Sequence, residues 1–157
     1  YEATKAAFEA AGGIGETEAF GDSGLPAAEA GRLEFYGEGE ELLPGLHPRQ
    51  ARGHTPGQHV LQLMSGSSVG VFCADIFHSP IQIYEPDVNT AYCAEPEAAV
   101  ATRRQYLAEF ADSGALIMPC HFGAPHCGHV RREGGGYRFE PEARDRAVGR
   151  MAAGTPA

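Results

Sequence analysis

Short segments rich in apolar residues and bounded by turn residues recur along the middle of the chain, and this pattern predicts β-strands. Residues 59–64 are strand-like, residues 65–67 supply a turn, and residues 68–74 form a nearly continuous apolar run. We interpret this pair as a hairpin whose second strand is buried on both faces. Shorter strands are predicted over residues 32–36, 47–52, 115–118, 129–132 and 137–139.

Helical patterns flank and interrupt these strands. Residues 1–12 are rich in alanine, and a second helix begins at Glu95-Pro96-Glu97 and ends at Ser113-Gly114. A last helix is predicted over residues 141–151, followed by a flexible tail over residues 152–157. The order of elements predicts one α/β domain over residues 1–157. Its first 31 residues form a lead-in, in which residues 13–31 are scattered with Gly and Pro and predict a loop.

Charge and length restrict the functions that the chain can have. Its 157 residues suffice for one domain, and 12 basic against 21 acidic side chains give a net charge of -9. Nucleic acids and anionic membranes need a basic surface, so neither is expected as a partner. No apolar run approaches the roughly 20 residues of a membrane span. A small-molecule substrate remains the expected partner.

Cysteine usage and the amino terminus indicate the compartment. The four cysteines form no C-x-x-C pair, and the first residues lack the basic start and apolar core of a secretory signal. We therefore expect reduced thiols in a cytoplasmic protein, with two disulfides in a secreted protein as the alternative. Since the chain begins with Tyr1 rather than Met, we expect it to start inside a longer reading frame or to be processed.

Three polar side chains follow or precede predicted strands, namely His54, Asp75 and His121. Strand ends are a usual position for functional side chains because a rigid scaffold holds them. Imidazole and carboxylate are ligands that zinc and similar ions prefer, and a carboxylate can bridge two ions. Taken singly, each of the three is also typical of an ordinary loop residue that makes local hydrogen bonds.

Together with their neighbours, these residues resemble a known family. Residues 53–57 read Gly-His-Thr-Pro-Gly, residues 75–82 read Asp-Ile-Phe-His-Ser-Pro-Ile-Gln, and His121-Phe122 follows a later strand. This combination resembles the second half of the metallo-β-lactamase fold, in the branch of lactonases and methyl-parathion-hydrolase-like enzymes. The resemblance covers roughly residues 30–140. It implies the C-terminal half of an αββα sandwich, with a mixed sheet and helices on one face.

The resemblance also implies a metal-dependent hydrolase. Two divalent ions, zinc by expectation, would activate a water against a lactone, ester, amide or organophosphate. His54 would bind one ion, His121 the other, and Asp75 would bridge them and act as the catalytic carboxylate. His78 and His126 are predicted to contact substrate.

One part of the family pattern is absent. The sequence holds no His-x-His-x-Asp-His motif, and no two of its seven histidines are separated by a single residue. Each ion would keep only two ligands from this chain, whereas a catalytic zinc needs about three. We therefore expect the isolated chain to be inactive and to expose apolar surface, so that it forms homo-oligomers or requires a missing N-terminal half. The alternative is a non-catalytic remnant of the fold that acts in binding or assembly.

A cluster near the carboxyl end allows a second interpretation. Within ten residues stand five candidate ligands for a single structural zinc: Cys120, His121, His126, Cys127 and His129. The cluster lacks the paired cysteines of a zinc ribbon. We prefer to interpret Cys120 and Cys127 as small buried hydrophobes beside a strand end.

Overall fold

A six-stranded mixed sheet forms the centre of the molecule. The computed structural model describes residues 1–13, 19–37 and 39–143. The strands are β1 (Leu46–Gln50), β2 (His59–Ser65), β3 (Ser68–Phe72), β4 (Leu116–Met118), β5 (Gly128–Glu133) and β6 (Gly136–Pro141). Their order in the sheet follows the chain, and every neighbouring pair is antiparallel except β3 and β4, which are parallel. The predicted α/β class with a mixed sheet is confirmed.

Within the described ranges, four α-helices accompany the sheet: α1 (Glu2–Ala10), α2 (Leu25–Glu29), α3 (Ile81–Tyr84) and α4 (Pro96–Phe110). A π-helical turn at Phe20–Gly24 precedes α2, and a 3-10 turn at Ala74–Ile76 follows β3. The crossover between the parallel strands β3 and β4 contains α3 and α4, as a parallel connection requires. Within the described residues, no helix has the length and apolarity needed to cross a membrane.

One face of the sheet packs against α4, and we call it the closed face. Buried side chains from four strands form it, namely Val60, Val71, Ile117 and Val130. They contact buried side chains of α4 that recur at helical spacing, namely Tyr106, Leu107 and Phe110. This layer is the hydrophobic core of the described chain.

The opposite face, which we call the open face, carries apolar side chains with little cover. Phe72 lies between Leu61 of β2 and Met118 of β4 in the register and is 45% exposed. Leu63, on the same face, is 38% exposed. The prediction that residues 68–74 are buried on both faces is therefore wrong, because only alternate residues such as Val71 are buried.

The lead-in differs from its predicted loop. Residues 13–31 include the π-helical turn and α2, although residues 14–18 lie outside the described part. Phe20 is buried, and its ring centroid lies 5.5 Å from Phe8 of α1 and 5.6 Å from Tyr1. This aromatic packing stabilises short helices that the Gly and Pro content argues against. The strand predicted over residues 32–36 does not form, because no neighbouring strand pairs with it and Phe35 is 72% exposed.

Predicted elements at the carboxyl end are only partly within the described residues. Pro141 is the last residue of β6, so the helix predicted over residues 141–151 does not begin there. The described residues end at residue 143. They include neither residues 144–151 of the predicted helix nor the predicted tail over residues 152–157.

Candidate metal centre

The direction of three strands brings the predicted site residues to one edge of the sheet. β1 is antiparallel to β2, and β2 is antiparallel to β3, so β1 and β3 run the same way. β4 runs parallel to β3, with Phe72 opposite Met118. The carboxyl ends of β1, β3 and β4 therefore meet at one edge. The loops that leave those ends carry His54, Asp75 and His121 respectively.

The three side chains contact one another through the Asp75 carboxylate. His121 Nε2 lies 2.7 Å from Asp75 Oδ1, and His54 Nε2 lies 3.7 Å from Asp75 Oδ2. Each carboxylate oxygen thus faces a different imidazole. This is the arrangement that a carboxylate bridging two ions needs, with one histidine on each side.

The loop that carries His54 is held against the start of α4. Gly53 has a φ of +147°, and a Cβ on it would lie 2.3 Å from Ala99 Cα, so the close approach requires glycine. Glu95 N donates to Gly53 O at 3.0 Å, and Ala94 N donates to His54 O at 2.9 Å. These backbone contacts hold the loop from which the His54 side chain extends.

The turn that carries Asp75 is strained and tied to α4. Ala74 has a φ of +46°, which is uncommon for a residue with a side chain and is frequent near functional sites. Arg103 of α4 is 1% exposed and donates from Nε to Ile76 O at 3.1 Å. Its other guanidinium nitrogens donate to acceptors between residues 86 and 89. This buried cation therefore organises the whole segment that follows Asp75.

The site favours an ionised carboxylate and a neutral imidazole. Burial alone would raise the pKa of Asp75, but hydrogen bonds from His121 and Cys120, together with the nearby His54 ring, hold it below its ordinary value. Burial lowers the pKa of His78, and the neighbouring His54 lowers it further. The ionised form of Asp75 is the one that binds a metal ion.

The spacing and chemistry of the donors fit a metal ion. The Nδ1 atoms of His54 and His78 are buried without a hydrogen-bond partner, and Nε2 is the His54 atom that faces the Asp75 carboxylate. The 3.7 Å between His54 Nε2 and Asp75 Oδ2 exceeds a hydrogen bond. It suits two ligands of one zinc ion, whose bonds to nitrogen and oxygen are about 2.0–2.2 Å each. The imidazole and carboxylate donors present are also those that zinc prefers.

Cys120 joins this site, contrary to the sequence-based interpretation. Its side chain is exposed rather than buried, and Sγ lies 3.3 Å from Ala74 O and 3.5 Å from Asp75 Oδ1. Donor atoms of Asp75, Cys120 and His121 all lie within 4.8 Å of one another. The interpretation of Cys120 as a buried hydrophobe is wrong because the turn after β4 directs its thiol toward the Asp75 carboxylate.

The other members of the predicted structural zinc cluster point elsewhere. His126 Nδ1 lies 2.6 Å from Phe122 O, and His129 is hydrogen-bonded on one side to Ala115 O and on the other to Glu142. Cys127 is half-buried. Among the described residues, only Cys120 and His121 of that set belong to a group able to hold one ion.

A cavity of about 640 Å³ opens onto the three predicted ligands. His78 lines it, and its ring stacks on His121 with centroids 4.9 Å apart. The other walls are mostly small or apolar, from Ala3, Thr4 and Ala7 of α1 and from Thr55, Pro56, Tyr92 and Ala94. Nothing in the sequence pattern pointed to α1 or Tyr92 as walls.

The structure separates the two residues predicted to contact substrate. His78 faces the cavity, and its backbone N–H donates to the side chain of Gln82 at 2.6 Å. Gln82 is buried and donates in turn to Val88 O, so it supports the loop. His126 is not among the residues that line the cavity. Its contact with substrate stays a prediction.

Comparison with solved structures identifies the fold. AidC, a dizinc quorum-quenching lactonase in complex with a product, matches with a TM-score of 0.72 and 27% identity over 78% of this chain and 42% of its own. Hydrolase AbOPH of the beta lactamase superfamily matches with a TM-score of 0.77 and 29% identity over 86% of this chain and 47% of its own. A probable metal-dependent hydrolase from Staphylococcus aureus shares the fold, with a TM-score of 0.52 and 20% identity over 57% of this chain and 32% of its own.

The chain is therefore a partial metallo-β-lactamase fold, as the sequence resemblance predicted. It spans less than half of the length of AidC and of AbOPH. No family model and no curated protein matches the sequence.

Proposed function

We propose that this chain is the C-terminal portion of a metal-dependent hydrolase of the metallo-β-lactamase fold. The observation that carries the proposal is that His54 and His121 both face the Asp75 carboxylate, where the ends of three strands meet. The likeness to a dizinc lactonase and to a hydrolase of the same superfamily supports it.

The side chains of this site have distinct roles in the proposal. Asp75, His54 and His121 would hold the ions, with Asp75 shared between the His54 side and the His121 side of the site. Two bound zinc ions would bring the pKa of a water near neutrality and polarise a carbonyl or phosphoryl oxygen. His78 borders the reacting group, and the wall of Ala3, Ala7 and Tyr92 contacts an apolar part of the substrate. A lactone, ester, amide or organophosphate fits this description.

The remaining metal ligands belong to a segment outside this chain in our proposal. The His-x-His-x-Asp-His motif is absent from all 157 residues, and each ion otherwise lacks the three protein ligands of a typical catalytic zinc. The open face, with Phe72 and Leu63 exposed, is the surface against which such a segment would pack.

The test begins with the gene upstream of the codon for Tyr1. A His-x-His-x-Asp-His segment in the same reading frame supports the proposal. The longer polypeptide is then assayed with zinc against a lactone and an aryl phosphotriester. We expect Asp75→Asn, His54→Ala and His121→Ala to abolish turnover, and His47→Ala, a histidine of β1, to retain it. Full turnover in Asp75→Asn contradicts the proposal.

A non-catalytic binding or assembly domain is the second candidate function. The exposed Phe72 and Leu63 favour it, because uncovered apolar faces promote association. The upstream gene separates the two candidates. If no ligand motif is encoded and the chain forms a stable homo-oligomer without turnover, the assembly function is correct.

A further inference from the structure

We infer that the Cys120 thiolate is a third protein ligand of the ion that Asp75 and His121 hold. This inference rests on the proposed function, because it concerns the same metal centre, and it assigns a ligand that the family resemblance does not supply. With Cys120 included, this chain alone supplies three protein ligands to one of the two metal positions.

Geometry places the three donors around one point. Asp75 Oδ1 is 2.7 Å from His121 Nε2 and 3.5 Å from Cys120 Sγ, and all three donor atoms lie within 4.8 Å of one another. Zinc bonds are about 2.3 Å to sulfur and 2.0–2.2 Å to nitrogen and oxygen, so donor atoms on one ion lie roughly 3–4 Å apart. The distance from Sγ to Oδ1 already falls in that range, whereas Oδ1 and Nε2, now at hydrogen-bond distance, would move slightly apart around an ion.

Local backbone structure keeps Cys120 in this position. The cysteine follows β4 directly before His121, so the two side chains leave one short turn. The adjoining Pro119 is fully buried, and Cys73 N donates to Met118 O, which ties this turn to the end of β3. The same Asp75 oxygen, Oδ1, contacts both Cys120 Sγ and His121 Nε2. Cys120 therefore belongs to the His121 side of the centre, and His54 faces the other Asp75 oxygen.

The chemistry of a thiolate determines what this ligand does. Binding replaces the S–H bond of Cys120 by a sulfur–metal bond, and the proton passes to solvent. A thiolate favours zinc or cobalt over magnesium or calcium, because it is a soft donor. The two metal positions should consequently differ in affinity, with the Cys120 position filled first.

The experiment titrates the reduced, metal-free 157-residue chain with Co²⁺ under anaerobic conditions. We expect a thiolate-to-cobalt charge-transfer band that saturates at one equivalent. Cys120→Ser should remove the band and raise the zinc dissociation constant by at least about tenfold, since even loss of an outer-shell partner costs about 10–100-fold. Cys127→Ser, a half-buried cysteine of the same loop, should change neither. Circular dichroism checks that each variant is folded, and Cys120→Ala serves as a second variant.

An alkylation experiment gives a second readout on the unmutated chain. Zinc should protect Cys120 from iodoacetamide while Cys127 reacts at an unchanged rate, as followed by mass spectrometry of the peptides. Equal reactivity of Cys120 with and without zinc, a charge-transfer band that survives in Cys120→Ser, or a chain that binds no Co²⁺ overturns the inference.

Asp75→Asn distinguishes failure of this inference from failure of the proposed function. If the bound cobalt spectrum is lost in Asp75→Asn but unchanged in Cys120→Ser, the metal centre exists and Cys120 is not part of it. If Asp75→Asn also retains cobalt unchanged, the metal centre itself is wrong and the proposed function fails with it.

Discussion

Both faces of the sheet carry apolar side chains, but the two faces differ in what covers them. On the closed face, Val71 and Ile117 are buried beneath Leu107 and Phe110 of α4. On the open face, Phe72 is the direct chain neighbour of Val71 and is nearly half exposed. Adjacent residues of one strand thus have opposite surroundings, since successive side chains point to opposite sides of a sheet.

The described chain covers the closed face with its own helix α4, whereas it leaves the open face without cover. The closed face contains the core, and its helix α4 also supports the site through Arg103 and through the contact of Ala99 with Gly53. The geometry around Asp75 therefore depends on packing at the closed face. In our proposal the ligand set is incomplete, and within the described chain the open face lacks cover. A second layer that carries the remaining ligands would account for both.

Matched phenylalanine truncations on the two faces are the strongest way to test the comparison. Phe110 of α4 is 2% exposed, and Phe110→Ala should lower the free energy of unfolding by about 3–5 kcal/mol through lost burial and a cavity. Phe72→Ala removes the same atoms from the open face and should cost only about 1 kcal/mol. Urea unfolding measures the loss of unfolding free energy in each variant, and the two losses are compared directly when the m-values are equal. Equal losses show that the open face is covered in solution.

Arg103 tests whether the polar contacts of the closed face organise the site. Arg103→Met keeps most of the side-chain volume but leaves Ile76 O and Pro86 O without the donor that Arg103 supplies. Buried unsatisfied acceptors cost about 1–3 kcal/mol each before relaxation, so we expect a loss of about 3 kcal/mol in unfolding free energy. The urea midpoint checks this.

Arg104→Met is the control for that prediction. Arg104 lies one residue further along α4 and pairs with Asp87 in an exposed ion pair. Its removal should leave the urea midpoint unchanged, because exposed pairs contribute little. A midpoint that falls equally in both variants shows that loss of any arginine from α4 destabilises the chain.

Sequence reasoning succeeded where periodicity and strand ends determine the structure. Apolar runs around a turn predicted β2 and β3, and apolar spacing between Pro96 and Phe110 predicted α4. The positions of His54, Asp75 and His121 beside predicted strands were read from the sequence, and their role as ligands stays a prediction. The parallel pairing of β3 and β4 then brings two of them together.

Sequence reasoning failed where contacts between distant parts of the chain determine the structure. The helical lead-in depends on the packing of Phe20 against Phe8, which no local pattern shows. The exposure of Phe72 depends on the absence of a covering layer in the described chain, whereas its sequence is that of a buried strand. The position of Cys120 depends on the turn after β4, and its residue type alone favours burial.

The open face should also govern association, as expected for an uncovered apolar layer. Replacing Leu63 and Phe72 together by Thr keeps strand propensity and removes apolar surface. We expect the wild-type chain to show a mass above its 16.6 kDa in light scattering, and the double variant to move toward that value. Leu43→Thr changes an exposed leucine outside the sheet and should not alter the mass. A monodisperse wild-type monomer without binding of a hydrophobic dye contradicts this expectation.

The smallest expected effect concerns the ion pair that joins β1 to α4 at the rim of the closed face. Arg49 donates two hydrogen bonds to the Glu109 carboxylate, at 2.5 Å and 2.8 Å. The hydrogen bond from Arg49 holds the pKa of Glu109 below its ordinary value of 4.5. Between the lowered folded pKa and the ordinary one, the unfolded chain binds more protons, so acid favours unfolding there.

The pair therefore stabilises the fold fully above about pH 4.5, and its contribution is lost as the pH falls through the folded pKa of Glu109. Because both groups are partly exposed, Glu109→Gln should cost less than about 1 kcal/mol at neutral pH and nothing in strong acid. Urea unfolding of wild type, Glu109→Gln, Arg49→Met and the double variant, followed from neutral pH to about pH 3, measures the coupling. A difference between wild type and Glu109→Gln that grows as the pH falls has the wrong sign, and it shows that the Arg49 contact does not stabilise the rim of the closed face.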